Sequence, residues 1–69
     1  MDGKVELYIQ TVDGENDHYY VRESKAAAII QQIDNGDKTI TILLPNEKTF
    51  VYLVHNIVRI FYLPVKKGL

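Results

Sequence analysis

The chain has no cysteine and no tryptophan, one methionine, two prolines and four glycines among 69 residues. Without cysteine, no disulfide and no thiolate metal site can hold it together, which fits a reducing compartment. No apolar run approaches the ~18 residues needed to span a bilayer. The opening MDGKVELYIQ carries an acid and lacks a long apolar core, so it does not read as a signal peptide. A soluble, cytoplasmic protein is expected, with no membrane partner. A glycine-rich phosphate loop and a Cys/His metal spacing are also missing, so no cofactor or metal site is expected. A domain this short buries only about 60% of its unfolded surface, so help from a partner chain is common.

The formal net charge of −1 hides an asymmetry. Residues 1–23 carry six acids against Lys4 and Arg22, and residues 24–69 carry six bases against Asp34, Asp37 and Glu47. Such a split could orient self-association.

Lys4 to Val12 alternates, with Val5, Leu7, Ile9 and Thr11 on one side and Glu6, Tyr8 and Gln10 on the other. A period of two indicates a half-buried strand. Asp13 to Asp17 is turn chemistry, and His18 to Arg22 reads as the returning strand. A five-residue loop would set Ile9 opposite Val21 and Thr11 opposite Tyr19. The outer face then carries Glu6, Tyr8, Gln10, His18, Tyr20 and Arg22.

Ser24 opens a helix as its cap, followed by three alanines, with Ala26, Ile29, Ile30 and Ile33 on one stripe. Asn35-Gly36 stops it, either residue being able to take the left-handed conformation. Two or three strands follow across residues 38–63. Pro45 suits a turn and Pro64 a strand end. With a four-residue loop Ile42 faces Val51, and a tight turn at His55-Asn56 brings the last strand back beside its predecessor. Residues 55–58 could instead form a helical turn.

The whole, residues 1–69, reads as one small α+β domain of order ββαβββ. It comprises a first hairpin at 4–22, a helix at 24–34, a second sheet region at 38–63 and a tail at 64–69. Its antiparallel sheet is strongly curved or a partly open barrel, packed on one short helix. One helix covers one face, which leaves a reverse side rich in apolar residues. Phe50, Tyr52, Val54, Arg59 and Phe61 are the candidate interface there, for a protein partner or a second copy.

Chemistry is sparse. Asp13-Gly14-Glu15-Asn16-Asp17-His18 opens like a calcium loop, but His18 stands where glycine is required and Ser24 where glutamate is, so it reads as an acidic turn. Neither His18 nor His55 sits beside a plausible nucleophile, and no catalytic set is expected. Tyr8, Tyr20 and Arg22 form a candidate recognition face, since Tyr and Arg suit binding hot spots. The plain alternative is a cross-strand pair on a solvated sheet. Aromatics with an arginine also suit single-stranded nucleic acid, but Glu6, Glu15 and Asp17 disfavour phosphate. The expected function is a non-catalytic protein-binding or regulatory module, acting as a homodimer, with a small nucleic-acid-binding protein as the alternative. VDG in the first hairpin, SKAAAIIQQIDNGD through the helix and HNIVRI near the end resemble small uncharacterised proteins of Gram-positive bacteria and their phages. That resemblance implies no functional residues.

Overall fold

The computed structural model describes residues 3–44 and 46–65. The element order is β1 (Lys4–Thr11), β2 (Asn16–Arg22), α1 (Glu23–Asp34), β3 (Thr39–Leu43), β4 (Thr49–Leu53), one 3₁₀ turn (Val54–Asn56) and β5 (Ile57–Pro64). All strand pairs are antiparallel. They form a three-stranded sheet in the order β2-β1-β5 and a two-stranded sheet, β3-β4, so the strands do not close into a barrel. The ββαβββ order and the α+β class are those the residue pattern implies. Among the described residues, no helix is long and apolar enough to cross a membrane. The expected tail falls partly outside the described residues, as does the turn role of Pro45.

The core is aliphatic. Val5, Leu7 and Ile9 of β1, Val21 of β2, Ala26 and Ile29 of α1, and Ile40 and Ile42 of β3 are all buried. Alternation puts every second residue of each strand on this inner side, where the two sheets and the helix meet. Burying a Leu or Ile side chain contributes about 1.5–3 kcal/mol, so these eight residues dominate the stability.

The helix begins two residues earlier than the Ser24 capping pattern suggests. Arg22, still extended at φ −69° and ψ 147°, occupies the N-cap position and makes no side-chain cap. At the far end Asn35 stays right-handed and Gly36 takes the positive φ, at 85°. Gly36 N–H donates to the Ile33 carbonyl and Asp37 N–H to that of Gln32, both at 3.0 Å. This double closure is the Schellman motif, and glycine enters it without a Cβ penalty.

Both hairpins turn in three residues, tighter than the sequence pattern suggests. In the first, Thr11 N–H donates to the Glu15 carbonyl at 3.0 Å, and Gly14 has φ 88°. In the second, Leu44 N–H donates to the Lys48 carbonyl at 2.9 Å, and Glu47 has φ 67°. A left-handed third residue is the signature of such loops.

The consequences differ. In β1-β2 the pairs become Ile9↔Asp17, Leu7↔Tyr19 and Val5↔Val21. That is four residues from the expected register, an even shift, so every side chain keeps its face. In β3-β4, Ile42 lies opposite Phe50 and Ile40 opposite Tyr52, instead of Val51 and Leu53. That single-residue slip turns β4 over. Phe50, still 39% exposed, and half-buried Tyr52 join the inner side, while Leu43, Val51 and Leu53 point outward and are exposed.

The end of the chain also departs from expectation. The 3₁₀ turn Val54–Asn56, tied down by Val54 N–H to the Lys38 carbonyl and Val12 N–H to that of Asn56 (2.9 Å each), redirects the chain. β5 therefore leaves β4 and pairs along β1. A helical turn here does not shorten the last strand, which runs for 8 residues. Its register shifts between Gln10 and Thr11, where Gln10 faces Arg59 and Thr11 faces Ile57, leaving Val58 as the extra residue of a bulge.

Candidate recognition face

The outer side of the β2-β1-β5 sheet carries four ranks of side chains set by register. Asn16, Gln10 and Arg59 form the first, His18, Tyr8 and Phe61 the second, and Tyr20, Glu6 and Leu63 the third. Arg22 and Lys4 close the last.

The second rank is a stack of rings. Tyr8 lies 4.4 Å from His18 with planes 9° apart, and 5.0 Å from Phe61 with planes 13° apart. His18 in turn meets Tyr20 at 4.9 Å, tilted by 52°. Directly opposed residues of adjacent strands stand about 4.5–5.5 Å apart, which is the spacing stacked rings require. Tyr8 donates a 2.9 Å hydrogen bond to Glu6 Oε2, and His18 Nε2 lies 4.0 Å from Glu6 Oε1. That carboxylate holds the Tyr8 phenol above its ordinary value, chiefly through the hydrogen bond. Tyr20, Phe61 and Leu63 nevertheless remain 53%, 38% and 48% exposed.

The stack decides what the face can offer. Both faces of the Tyr8 ring are covered, so a nucleobase cannot stack on it without prising apart a pair worth about 0.5–1.5 kcal/mol. Tyr20, Phe61, Leu63 and Arg59 remain exposed, a mixture suited to a protein surface.

One end of this face is basic. Lys4, Arg22 and Lys25 surround a concavity of about 310 Å³, with Tyr20, Val21, Leu43 and Leu44 as its other walls. Among the described residues, none of these three cations makes an ion pair. The acidic loop faces the other way: Asp13 and Glu15, both exposed, line a concavity with Asp17, Val51, Tyr52 and Leu53. Asp13 accepts from the Thr11 hydroxyl and, at 3.3 Å, from Glu15 N–H, and the Thr11 bond pulls its carboxyl below the usual value.

The structure thus unites Tyr8, Tyr20 and Arg22 on one face and adds His18, Phe61 and Lys4 to them. It divides the other set. Arg59 and Phe61 belong to this face, Val54 sits half-buried in the 3₁₀ turn, and Phe50 and Tyr52 turn to the inner side. There Tyr52 donates to Asp17 Oδ2 at 2.5 Å and is hydrogen-bonded to Tyr19, whose ring lies 5.5 Å from that of Phe50. The carboxylate has no proton to give, so Tyr52 must donate to it, and the Tyr52 oxygen is left to accept from Tyr19. The chain Tyr19→Tyr52→Asp17 ties β2 to β4 across the two sheets. Burial first, then the bond to Asp17, pushes the Tyr52 phenol well up; burial likewise raises Tyr19.

Correct loop lengths would have revealed the contact of Tyr8 with His18. The place of Phe61 depends on β5 crossing to β1, for which the local sequence carries no signal. Comparisons with protein-family models, with curated proteins and with solved structures found no match.

Proposed function

We propose that this chain is a non-catalytic protein-binding module whose recognition surface is the outer face of the β2-β1-β5 sheet. The supporting observation is the exposed ring row Phe61–Tyr8–His18–Tyr20, flanked by Leu63 and Arg59. Rigid aromatic side chains supply contact area at low entropic cost, and arginine supplies directed hydrogen bonds at the rim. The covered faces of Tyr8 weigh against a nucleobase stacking there and favour the protein reading.

The test is site-directed photo-crosslinking in the producing cells. A photoreactive residue at position 20 is expected to yield a discrete protein adduct, either with itself or with another chain. The same probe at Gln31, exposed on the helix, should yield none, and Tyr8→Ala with Phe61→Ala should abolish the adduct at 20. Equal labelling from both positions, or none from 20, refutes the reading. Single-stranded oligonucleotide at low salt should leave the Tyr8 and Tyr20 resonances unmoved; saturable shifts there would replace the protein partner with nucleic acid.

A further inference from the structure

We propose that β5 pairs edge to edge with β5 of a second copy, antiparallel and centred on Phe61, joining the two three-stranded sheets into one. Such pairing leaves the outer face of the sheet open, and it stands independently of what that face binds.

The direction of each backbone group along β5 follows from the first hairpin. Opposed residues of an antiparallel pair alternate between those that exchange both main-chain bonds and those that exchange none. Thr11 N–H donates to the Glu15 carbonyl, so the odd positions of β1 bond to β2 and the even ones turn to β5. Val12 N–H, which donates to the Asn56 carbonyl, keeps that direction beyond the strand end. Register then makes Arg59, Phe61 and Leu63 the residues bonded to β1, through Gln10, Tyr8 and Glu6. The ring spacings agree. Pairs that exchange no bonds stand closer, and Tyr8 lies 4.4 Å from His18 but 5.0 Å from Phe61. The N–H and C=O groups of Ile60 and Tyr62 therefore point away from β1, to an edge with no strand beside it among the described residues.

That edge is bracketed. The Val58 bulge interrupts it at one end, and Pro64 has no N–H to offer at the other. Between them the open groups, a donor and an acceptor on Ile60 and again on Tyr62, are symmetric about Phe61. A second β5 reversed about a two-fold axis at Phe61 presents the same pattern. Ile60 then exchanges both bonds with the partner's Tyr62, and Tyr62 with the partner's Ile60. A shift of two residues either way sets Pro64 or the bulge at a bonding position, and a shift of one sets bonding residues against non-bonding ones. Phe61 meets the partner's Phe61 on the axis, which carries the ring row across both copies. Arg59 lies beside the partner's Leu63, so the two arginines stay apart.

Charged side chains and short length keep strand edges from pairing. β2 carries Asn16, Asp17, His18 and Arg22, and β3 and β4 have 5 residues each. β5 runs for 8 residues with Arg59 as its single charge. Val58 is 62% exposed, and Ile60 and Tyr62 are only half-buried. The contact is narrow: an edge about 20 Å long and about 10 Å deep presents on the order of 200 Å². A standard stable interface buries about 800 Å² per partner. The dimer is therefore weak. Held by main chain and apolar side chains, it is also indifferent to the screening that salt imposes on charges.

Sedimentation equilibrium up to about millimolar concentration should show a reversible dimer that added salt does not weaken. Tyr62→Pro removes an N–H on the open edge while leaving the β1 ladder whole, and should weaken the dimer at least tenfold. Unmoved Leu7 and Ile9 resonances would show that this variant folds. A cysteine set reads the register without proline, since the chain has no cysteine of its own. Under oxidation Phe61→Cys should give a disulfide-linked dimer, because the paired Cα atoms stand about 4.5 Å apart. Arg59→Cys and Leu63→Cys should each stay monomeric, each position lying about 14 Å from its own copy in the partner. Their equimolar mixture should crosslink. A wild-type monomer at that concentration, a folded Tyr62→Pro that dimerises normally, or disulfides at 59 or 63 alone that match those at 61 overturns the proposal. If the wild type is monomeric while the position-20 probe captures a different protein, the edge pairing is wrong and the recognition face stands. If the dimer forms in this register while position 20 captures nothing, the reverse holds.

Discussion

Replacing Tyr52 with Phe removes one oxygen and breaks two hydrogen bonds at once, because that oxygen donates to Asp17 and accepts from Tyr19. A hydrogen bond to a charged acceptor contributes about 1.5–3 kcal/mol, and a neutral one about 0.5–1.5 kcal/mol. The site is half-buried, so the lower figures apply, and Tyr52→Phe should cost about 2 kcal/mol. A domain of this size has on the order of 3–10 kcal/mol to lose. The expected fall in Tm is about 8–16 °C, measured by thermal and urea unfolding with near-ultraviolet circular dichroism. The pH dependence is a second readout. The folded protein holds the Tyr52 and Tyr19 protons more tightly than the unfolded chain does. Stability from these groups is therefore fully present below about pH 10, the unfolded value, and is lost as pH rises above it. Tyr52→Phe should flatten this alkaline limb by at most about 1.4 kcal/mol per pH unit, less where solvent screens the site. In a double-mutant cycle with Asp17→Asn, a coupling near 1 kcal/mol is expected. A loss below about 0.5 kcal/mol, or an unchanged alkaline limb, would refute the argument.

Four further substitutions test the backbone and the register by urea unfolding. Glu47 adopts φ 67°, a conformation costing a residue with a Cβ about 1–2 kcal/mol; Glu47→Gly should therefore stabilise by about 0.5 kcal/mol after glycine's entropy is counted. Gly14→Ala should do the reverse, losing about 1 kcal/mol, because Gly14 has φ 88° in the matching loop position. Ile42→Ala should cost about 2–5 kcal/mol and Val51→Ala no more than about 0.5 kcal/mol, since Ile42 is buried and Val51 is 64% exposed. Comparable losses at the two sites would mean that β4 presents its other side to the core.

Alternation of Val5, Leu7 and Ile9, and of Ile40 and Ile42, was sufficient to identify most of the core, because each run reports a single buried side. Gly36 likewise announced the helix end. The loops were harder to read, since a turn's length depends on which residue accepts a positive φ. Gly14 signals that openly. Glu47 does not, and a glutamate in this conformation is what hides the true register of β4. The error of four at the first hairpin left Tyr8 and Tyr20 on the same face, whereas the error of one at the second carried Phe50 and Tyr52 to the opposite side. The course of β5 was illegible for a different reason. Its partner is β1, about fifty residues back in the chain, and nothing in IVRIFYLP distinguishes that neighbour from β4.

The position of β1 between an adjacent strand and a remote one also bears on when the ring row comes into existence. The β1-β2 hairpin closes over a short loop, an event of microseconds, and it supplies His18, Tyr20 and Tyr8. Phe61 arrives only when β5 has closed a far longer loop, the kind of contact that slows folding. Until then β1 presents an unpaired edge, and the surface that would greet a partner is incomplete. On the proposed reading, a partner that requires all four rings would select against molecules in which β5 has not docked on β1.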